Sequence, residues 1–117
     1  MANISSLLSK QNFFIDLLID TLLVQKFTNI KVMKLEKDNY HDYMIVCTSN
    51  SLTQMGAVIK KIKTQFTNQK LMHEGLNSSW LLITINGILI QIFTQESREY
   101  YNIESIYFDS EIIHHYA

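Results

Sequence analysis

At 117 residues, with 47% apolar and 18% charged side chains, the chain is long enough for one real hydrophobic core and too short for two, and disorder is excluded as its default state. The net charge of −1 is unevenly spread: every lysine lies at or before Lys70, and beyond it Arg98 is the only strong base against Glu74, Glu96, Glu99, Glu104, Asp109 and Glu111. That balance excludes a strongly basic face for phosphate backbone from the C-terminal half, whose partner is expected to be protein.

One domain spanning residues 1–117 is expected, with an N-terminal helix over about 3–26 and a short C-terminal tail over about 109–117. The single cysteine, Cys47, has no partner for an internal disulfide and lies in an apolar run, which fits a reducing compartment and a small buried hydrophobe. The first charge is Lys10, and Asp16 and Asp20 interrupt the apolar residues that follow, so no secretory signal is expected. No apolar run reaches membrane-spanning length, and a cytoplasmic location follows by elimination.

From Asn3 to Lys26 there is neither Gly nor Pro, and Ile4, Leu7, Leu8, Phe14, Ile15, Leu18, Leu22 and Leu23 recur at helical spacing. Packing of this amphipathic helix on the domain's own sheet is expected. Asn29 to Glu36 suits a half-exposed first strand, and Asp42 to Cys47 reads as a short central one. Ser51 and Gln54 form a capping-box pattern that opens a helix to about Asn68, with Leu52, Met55, Ile59, Ile62 and Phe66 as its buried stripe and Lys60, Lys61 and Lys63 on a solvated face. Lys70 to Glu74 reads as an edge strand and Gly75 to Ser79 as a loop.

The strongest local signal is Asn86-Gly87 between two apolar runs, because a two-residue type I′ hairpin turn needs positive φ at both central residues. With Ile85 opposite Ile88, alternation puts Leu81, Ile83, Ile85, Ile88, Ile90 and Ile92 on one wholly aliphatic face of the hairpin. The other face carries Trp80, Leu82, Thr84, Leu89, Gln91 and Phe93. Either a helix covers this mixed face, in which case Thr84 and Gln91 need buried partners, or it is a surface patch built on two large aromatic rings. Thr94 is expected to cap a last helix with Glu96 in its first turn, running through Arg98 and Tyr101 towards Tyr107. The order of elements predicts an α/β fold with a mixed sheet of about five strands and packed helices.

The sequence carries few groups arranged for chemistry. Gly56, Gly75 and Gly87 are too far apart for a Rossmann or P-loop cradle, and neither a zinc motif nor a strained nucleophile turn is present. Ser49 to Ser51 sit between strand and helix, where a phosphate site and simple helix capping compete for the same residues. Asp42 is the only carboxylate in the two strands beside that turn, and two-metal nucleotidyl transfer requires at least two. No catalytic residue, cofactor or metal ligand is assigned.

Five motifs then recur in a known order: Asp42-Tyr43 leading an apolar strand, Ser51 with Gln54 opening a helix, Glu74-Gly75 before Trp80, the aliphatic hairpin, and Glu96-x-Arg98-Glu99-x-Tyr101-x-Ile103-Glu104. Over nearly its whole length the chain resembles the ribosomal silencing factor, or Iojap-like, family. The resemblance implies an α/β domain of nucleotidyltransferase-like topology without that activity. It further implies binding to the large ribosomal subunit through ribosomal protein L-fourteen, steric exclusion of the small subunit and repression of translation. A role in large-subunit assembly and, as a rival class, a nucleotidyltransferase-like enzyme stay open beside it. Departures from the family's usual residues are Ser49 for a turn glycine, with Asn50 available as a left-handed neighbour, Thr84 for an acidic residue, Gln91 for a histidine and Tyr107 for a tryptophan. The expected partner-binding residues are Trp80, Leu82, Gln91 and Phe93 from the mixed face; motif matches add Asp42, Tyr43, Glu74, Arg98, Glu99 and Tyr101. Tyr101 has a competing reading as core, and Arg98 as half of a structural ion pair with Glu99 or Asp42.

Overall fold

The computed structural model describes residues 4–35, 40–76, 78–107 and 110–116, with side chains from Phe13 onward. Asn3, Glu36 and Asp109, and the side chains of Ile4, Leu7, Leu8 and Lys10, all named above, lie outside the described residues.

The elements are α1 (Ile4–Val24), β1 (Thr28–Lys34), β2 (Tyr43–Ser49), α2 (Leu52–Gln65), β3 (Leu71–Glu74), β4 (Trp80–Ile85), β5 (Ile88–Thr94), α3 (Gln95–Tyr101), a 3-10 turn (Ile103–Tyr107) and β6 (Glu111–Tyr116). They form one six-stranded sheet in the order β3-β4-β5-β2-β1-β6. β2 and β5 run parallel, and every other neighbouring pair is antiparallel, so the sheet is mixed. This is the α/β fold class expected, with one strand more.

The hairpin explains the register of the sheet's centre. Asn86 and Gly87 take φ of 50° and 75°, and Ile85 pairs with Ile88. The aliphatic set from Leu81 to Ile92 is then buried as one face, together with Ile30, Val32, Ile45 and Cys47, against Ile15, Leu18 and Leu22 of α1 and Met55, Val58, Ile59 and Ile62 of α2. β2 is buried at every position, as a strand flanked on both edges and covered on both faces must be. The α2 stripe differs from expectation at one end. Leu52, the first helical residue, is 46% exposed, and Val58 completes the run with Met55, Ile59 and Ile62 at helical spacing.

The C-terminal part of the chain differs from the sequence reading in two places. α3 does not continue to Tyr107: Asn102 takes a left-handed φ of 45°, its N–H bonds back to the Arg98 carbonyl, and the chain re-forms as a separate 3-10 turn. The expected tail is instead β6, which pairs antiparallel with β1. Glu111 to His115 are exposed, so this strand has almost no buried face, and the alternation that marks a half-buried strand is missing. The turn after β2 also differs: neither Ser49 nor Asn50 is among the residues of positive φ.

Gly75 is required by geometry. Its φ is 86°, and a Cβ there would stand 2.2 Å from the Trp80 carbonyl oxygen. Gly75→Ala is expected to destabilise the fold by on the order of 2 kcal/mol, read from chemical denaturation; an unchanged midpoint would refute the close approach. Cys47 is fully buried, and burial pushes its thiol up to about 12 against the opposing pull of the Arg98 guanidinium. It is expected to resist an aromatic disulfide reagent at neutral pH in the native protein and to react fully in denaturant.

Candidate docking surface

The mixed face of the hairpin is neither wholly covered nor wholly open. α3 starts directly from β5: Thr94 Oγ1 accepts from the Ser97 N–H at 3.2 Å, and Ser97 Oγ donates to the Ser79 carbonyl at 2.6 Å. The short helix is therefore tied to the loop that leads into β4. It lies over Phe93, which is completely buried. The 3-10 turn extends this cover, with Ile103 and Tyr107 packed around Met33, Leu35, Met44 and Val46.

Arg98 holds that cover to the sheet. Its Nη1 donates to the Asn29 carbonyl at 2.5 Å and to Thr48 Oγ1 at 2.9 Å, while its Nε donates to Glu104 Oε1 at 2.8 Å. Lys31 Nζ reaches the other carboxylate oxygen of Glu104 at 2.6 Å. Asn29 supplies its carbonyl from a left-handed φ of 47° in the irregular stretch of β1 between Thr28 and Lys31. Burial works to raise the Glu104 carboxyl, but hydrogen bonds from Arg98 and Lys31 outweigh it and hold the group below the ordinary carboxylate value of 4.5.

Beyond the cover, one strip of the face stays accessible. Trp80, Leu82, Thr84 and Leu89 are half-buried, and the neighbouring β3 adds Met72, 59% exposed and paired with Thr84, and exposed Glu74, paired with Leu82. Tyr101, 49% exposed, meets the Trp80 ring at 4.9 Å, and Tyr100 stands almost fully exposed beside it. Trp80 also stacks on Phe93 at 5.2 Å across the strand pair. The result is an apolar strip with aromatic side chains at one end and a carboxylate at its rim, a composition suited to protein contact.

A family model described as ribosomal silencing factor during starvation matches residues 9–116. The chain belongs to the ribosomal silencing factor family. It is 28% identical over 75 residues to the ribosomal silencing factor RsfS of Bacillus subtilis (strain 168), covering 61% of this chain and 64% of that protein, slightly under two thirds of the relative's length. To the RsfS of Haemophilus influenzae it is 26% identical over 98 residues, covering 80% of this chain and 96% of the relative. Two crystal structures share the fold. A protein from Chromobacterium violaceum superposes with a TM-score of 0.68 at 22% identity, over 75% of this chain and 78% of the other. A protein from Bacillus halodurans does so with 0.70 at 21%, over 81% and 93%.

Within this member of the silencing factor family, the residues singled out by sequence divide into three groups. Trp80, Leu82, Glu74 and Tyr101 come together on the accessible strip, with exposed Glu99 on the adjoining helix, where its Oε1 accepts from Gln95 Nε2 at 2.8 Å. Phe93, Gln91 and Arg98 are buried beneath it and present no surface to a partner: Phe93 lies under α3, and Arg98 pairs with Glu104, in place of Glu99 or Asp42. Gln91 finds its buried partners in Trp80 Nε1 and Met44 Sδ. Asp42 and Tyr43 are not on the strip. Tyr43 pairs with Ile88 beside the hairpin turn, at the end of the sheet opposite Trp80 and Phe93, and its side chain faces the α1 and α2 core.

Met72, Leu89, Thr84 and Tyr100 complete the strip and were not selected from sequence. Alternation already placed Thr84 and Leu89 on the right face; Met72 needed the β3–β4 register, which no turn signal fixes.

The loop after β2 is built for capping. Gln54 N–H bonds to Ser51 Oγ at 3.1 Å, and Gln54 Oε1 lies 2.7 Å from the Asn50 N–H and 2.9 Å from Ser49 Oγ. The reciprocal half of the capping box thus goes to Asn50 in place of Ser51. Among the described residues, no cluster of three or more His, Cys, Asp and Glu side chains is arranged to hold a metal ion, and no helix is long and apolar enough to cross a membrane.

Because the folded Glu104 carboxyl sits below its unfolded value, its contribution to stability is complete above about pH 4.5 and is lost as pH falls through the lower, folded value. Glu104→Gln is expected to be less stable than the parent at neutral pH and to converge with it in acid. Parallel melting curves with a constant gap down to strong acid would refute this linkage.

Proposed function

We propose that this chain represses translation by docking on the large ribosomal subunit, through ribosomal protein L-fourteen, and excluding the small subunit by its bulk. The observation that carries the reading is the accessible strip on β3 and β4, rimmed by α3, in a chain whose family model spans nearly all of it. Relatives that bear the name ribosomal silencing factor support the regulatory role. In this reading no bond is made or broken. Trp80, Leu82, Leu89 and Met72 supply desolvated contact area, and Glu74, Glu99, Tyr100 and Tyr101 form the rim.

A non-catalytic mechanism agrees with the capping of α2. The Ser49 and Ser51 hydroxyls and the Asn50 N–H are engaged with Gln54, so the helix start offers a phosphate little that is not already bonded. The protein works in the cytoplasm in this proposal, where its partner is assembled and its thiol stays reduced.

Sedimentation with isolated large subunits, isolated small subunits and a rejoining mixture tests the reading. Co-migration with large subunits alone, accompanied by fewer joined ribosomes, is the expected result. Trp80→Ala and Leu82→Glu are each expected to weaken large-subunit binding by about 30-fold, about 2 kcal/mol, while the cooperative melt persists. Wild-type affinity in both variants would move the interface elsewhere.

A further inference from the structure

Gln91 occupies an unusual place: it is almost wholly buried on the one sheet face that the docking proposal leaves partly open. Its side chain lies between two residues of different kinds. Trp80 Nε1 donates to Gln91 Oε1 at 2.9 Å, and Gln91 Nε2 in turn approaches Met44 Sδ at 3.1 Å. Because β5 lies between β4 and β2, this chain of polar contacts runs sideways across three neighbouring strands.

From this we infer that Gln91 is a positioning residue, which fixes the orientation of the Trp80 indole for partner contact; the inference rests on the docking surface proposed above. The ring contacts with Phe93 and Tyr101 hold the plane of the indole. Ring contacts discriminate weakly between an indole and the same indole turned over within its slot. A directed N–H bond discriminates strongly, because the turned ring leaves both the donor and the buried amide oxygen unpaired. Met44 completes the arrangement from the neighbouring strand β2. It is fully buried, and its sulfur is a weak acceptor that orients the Gln91 amide so that oxygen, not nitrogen, faces the indole. A histidine offers the same pairing of one acceptor and one donor nitrogen, so it satisfies both neighbours in the same way.

Trp80 is the only tryptophan in the chain, so its fluorescence reports this site without interference. The full-length chain and its Gln91→Leu, Gln91→His, Trp80→Phe and Trp80→Phe/Gln91→Leu variants are compared by melting and by binding to large subunits. Acrylamide quenching is added for the chains that keep Trp80.

Gln91→Leu is expected to melt cooperatively, to show greater quenching of Trp80, and to bind about 3- to 10-fold more weakly. Gln91→His is expected to restore both quenching and binding. Trp80→Phe, which lacks the donor, is expected to weaken binding on its own and to make the further Gln91→Leu change silent. If Gln91→Leu fails to fold, the histidine and phenylalanine variants decide. Unaltered quenching and binding in Gln91→Leu, failure of histidine to restore them, or wild-type affinity in Trp80→Phe overturns the positioning role. Should Trp80→Ala and Leu82→Glu also bind like wild type, the docking surface itself is wrong; should they bind weakly while Gln91→Leu does not, only the role of Gln91 fails.

Discussion

Arg98 is the constraint on which the accessible face depends. A guanidinium this deeply buried requires partners, and it takes them from three separate parts of the chain: the Asn29 carbonyl of β1, the Thr48 hydroxyl of β2 and the Glu104 carboxylate of the 3-10 turn. Breaking such a buried set by removing one member generally costs far more than an exposed ion pair contributes. α3 is only seven residues long, below the length at which a helix stands by its own hydrogen bonds. Its position is set by Arg98 beneath it and by Thr94 and Ser97 at its start. Without those anchors Phe93 loses its cover and Tyr101 its place against Trp80.

The two faces of the hairpin show how one strand pair serves two ends. Aliphatic side chains on one face lock β4 and β5 to α1 and α2, and that face has no polar atom to satisfy. The opposite face carries the polar centre of Gln91 and Thr84. There Phe93 and Gln91 are buried, while Trp80, Leu82, Thr84 and Leu89 are half-buried. Rigid packing on the first face is what allows the second to present a fixed, preorganised surface.

Much of this was legible in the sequence, and the reasons for the rest are physical. Asn86-Gly87 fixed the turn, the turn fixed the register, and the register correctly separated the two sets of side chains, because period-two alternation leaves no freedom once one pair is known. What alternation cannot report is which part of a face a distant segment covers. Phe93 and Gln91 share a face with Trp80 yet are buried, since α3 folds back over one end only. Tyr43 matched a family motif, but its neighbours in the strand are apolar on both faces, so the pattern did not reveal that it points to the helices. Asn102 is a sequence-visible stop that the aromatic and acidic residues around it obscured. β6 lacked any signal, because a strand that buries almost nothing needs no apolar alternation.

That last strand has a consequence for how the sheet is put together. β6 adds hydrogen bonds to the outer edge of β1 but contributes little to either core, only Tyr116 packing against the main cluster in part. Between His114 and Ile112 its register slips by one residue against β1, which interrupts the ladder. The parallel β2–β5 pair and the hairpin beside it contain no residue after Thr94. The centre of the sheet is therefore paired without β6, which joins the β1 edge as a separate unit that buries little apolar surface. Opening of β6 alone would bare the backbone edge of β1 and leave the apolar interior closed, because the core cluster draws on β6 only through Tyr116.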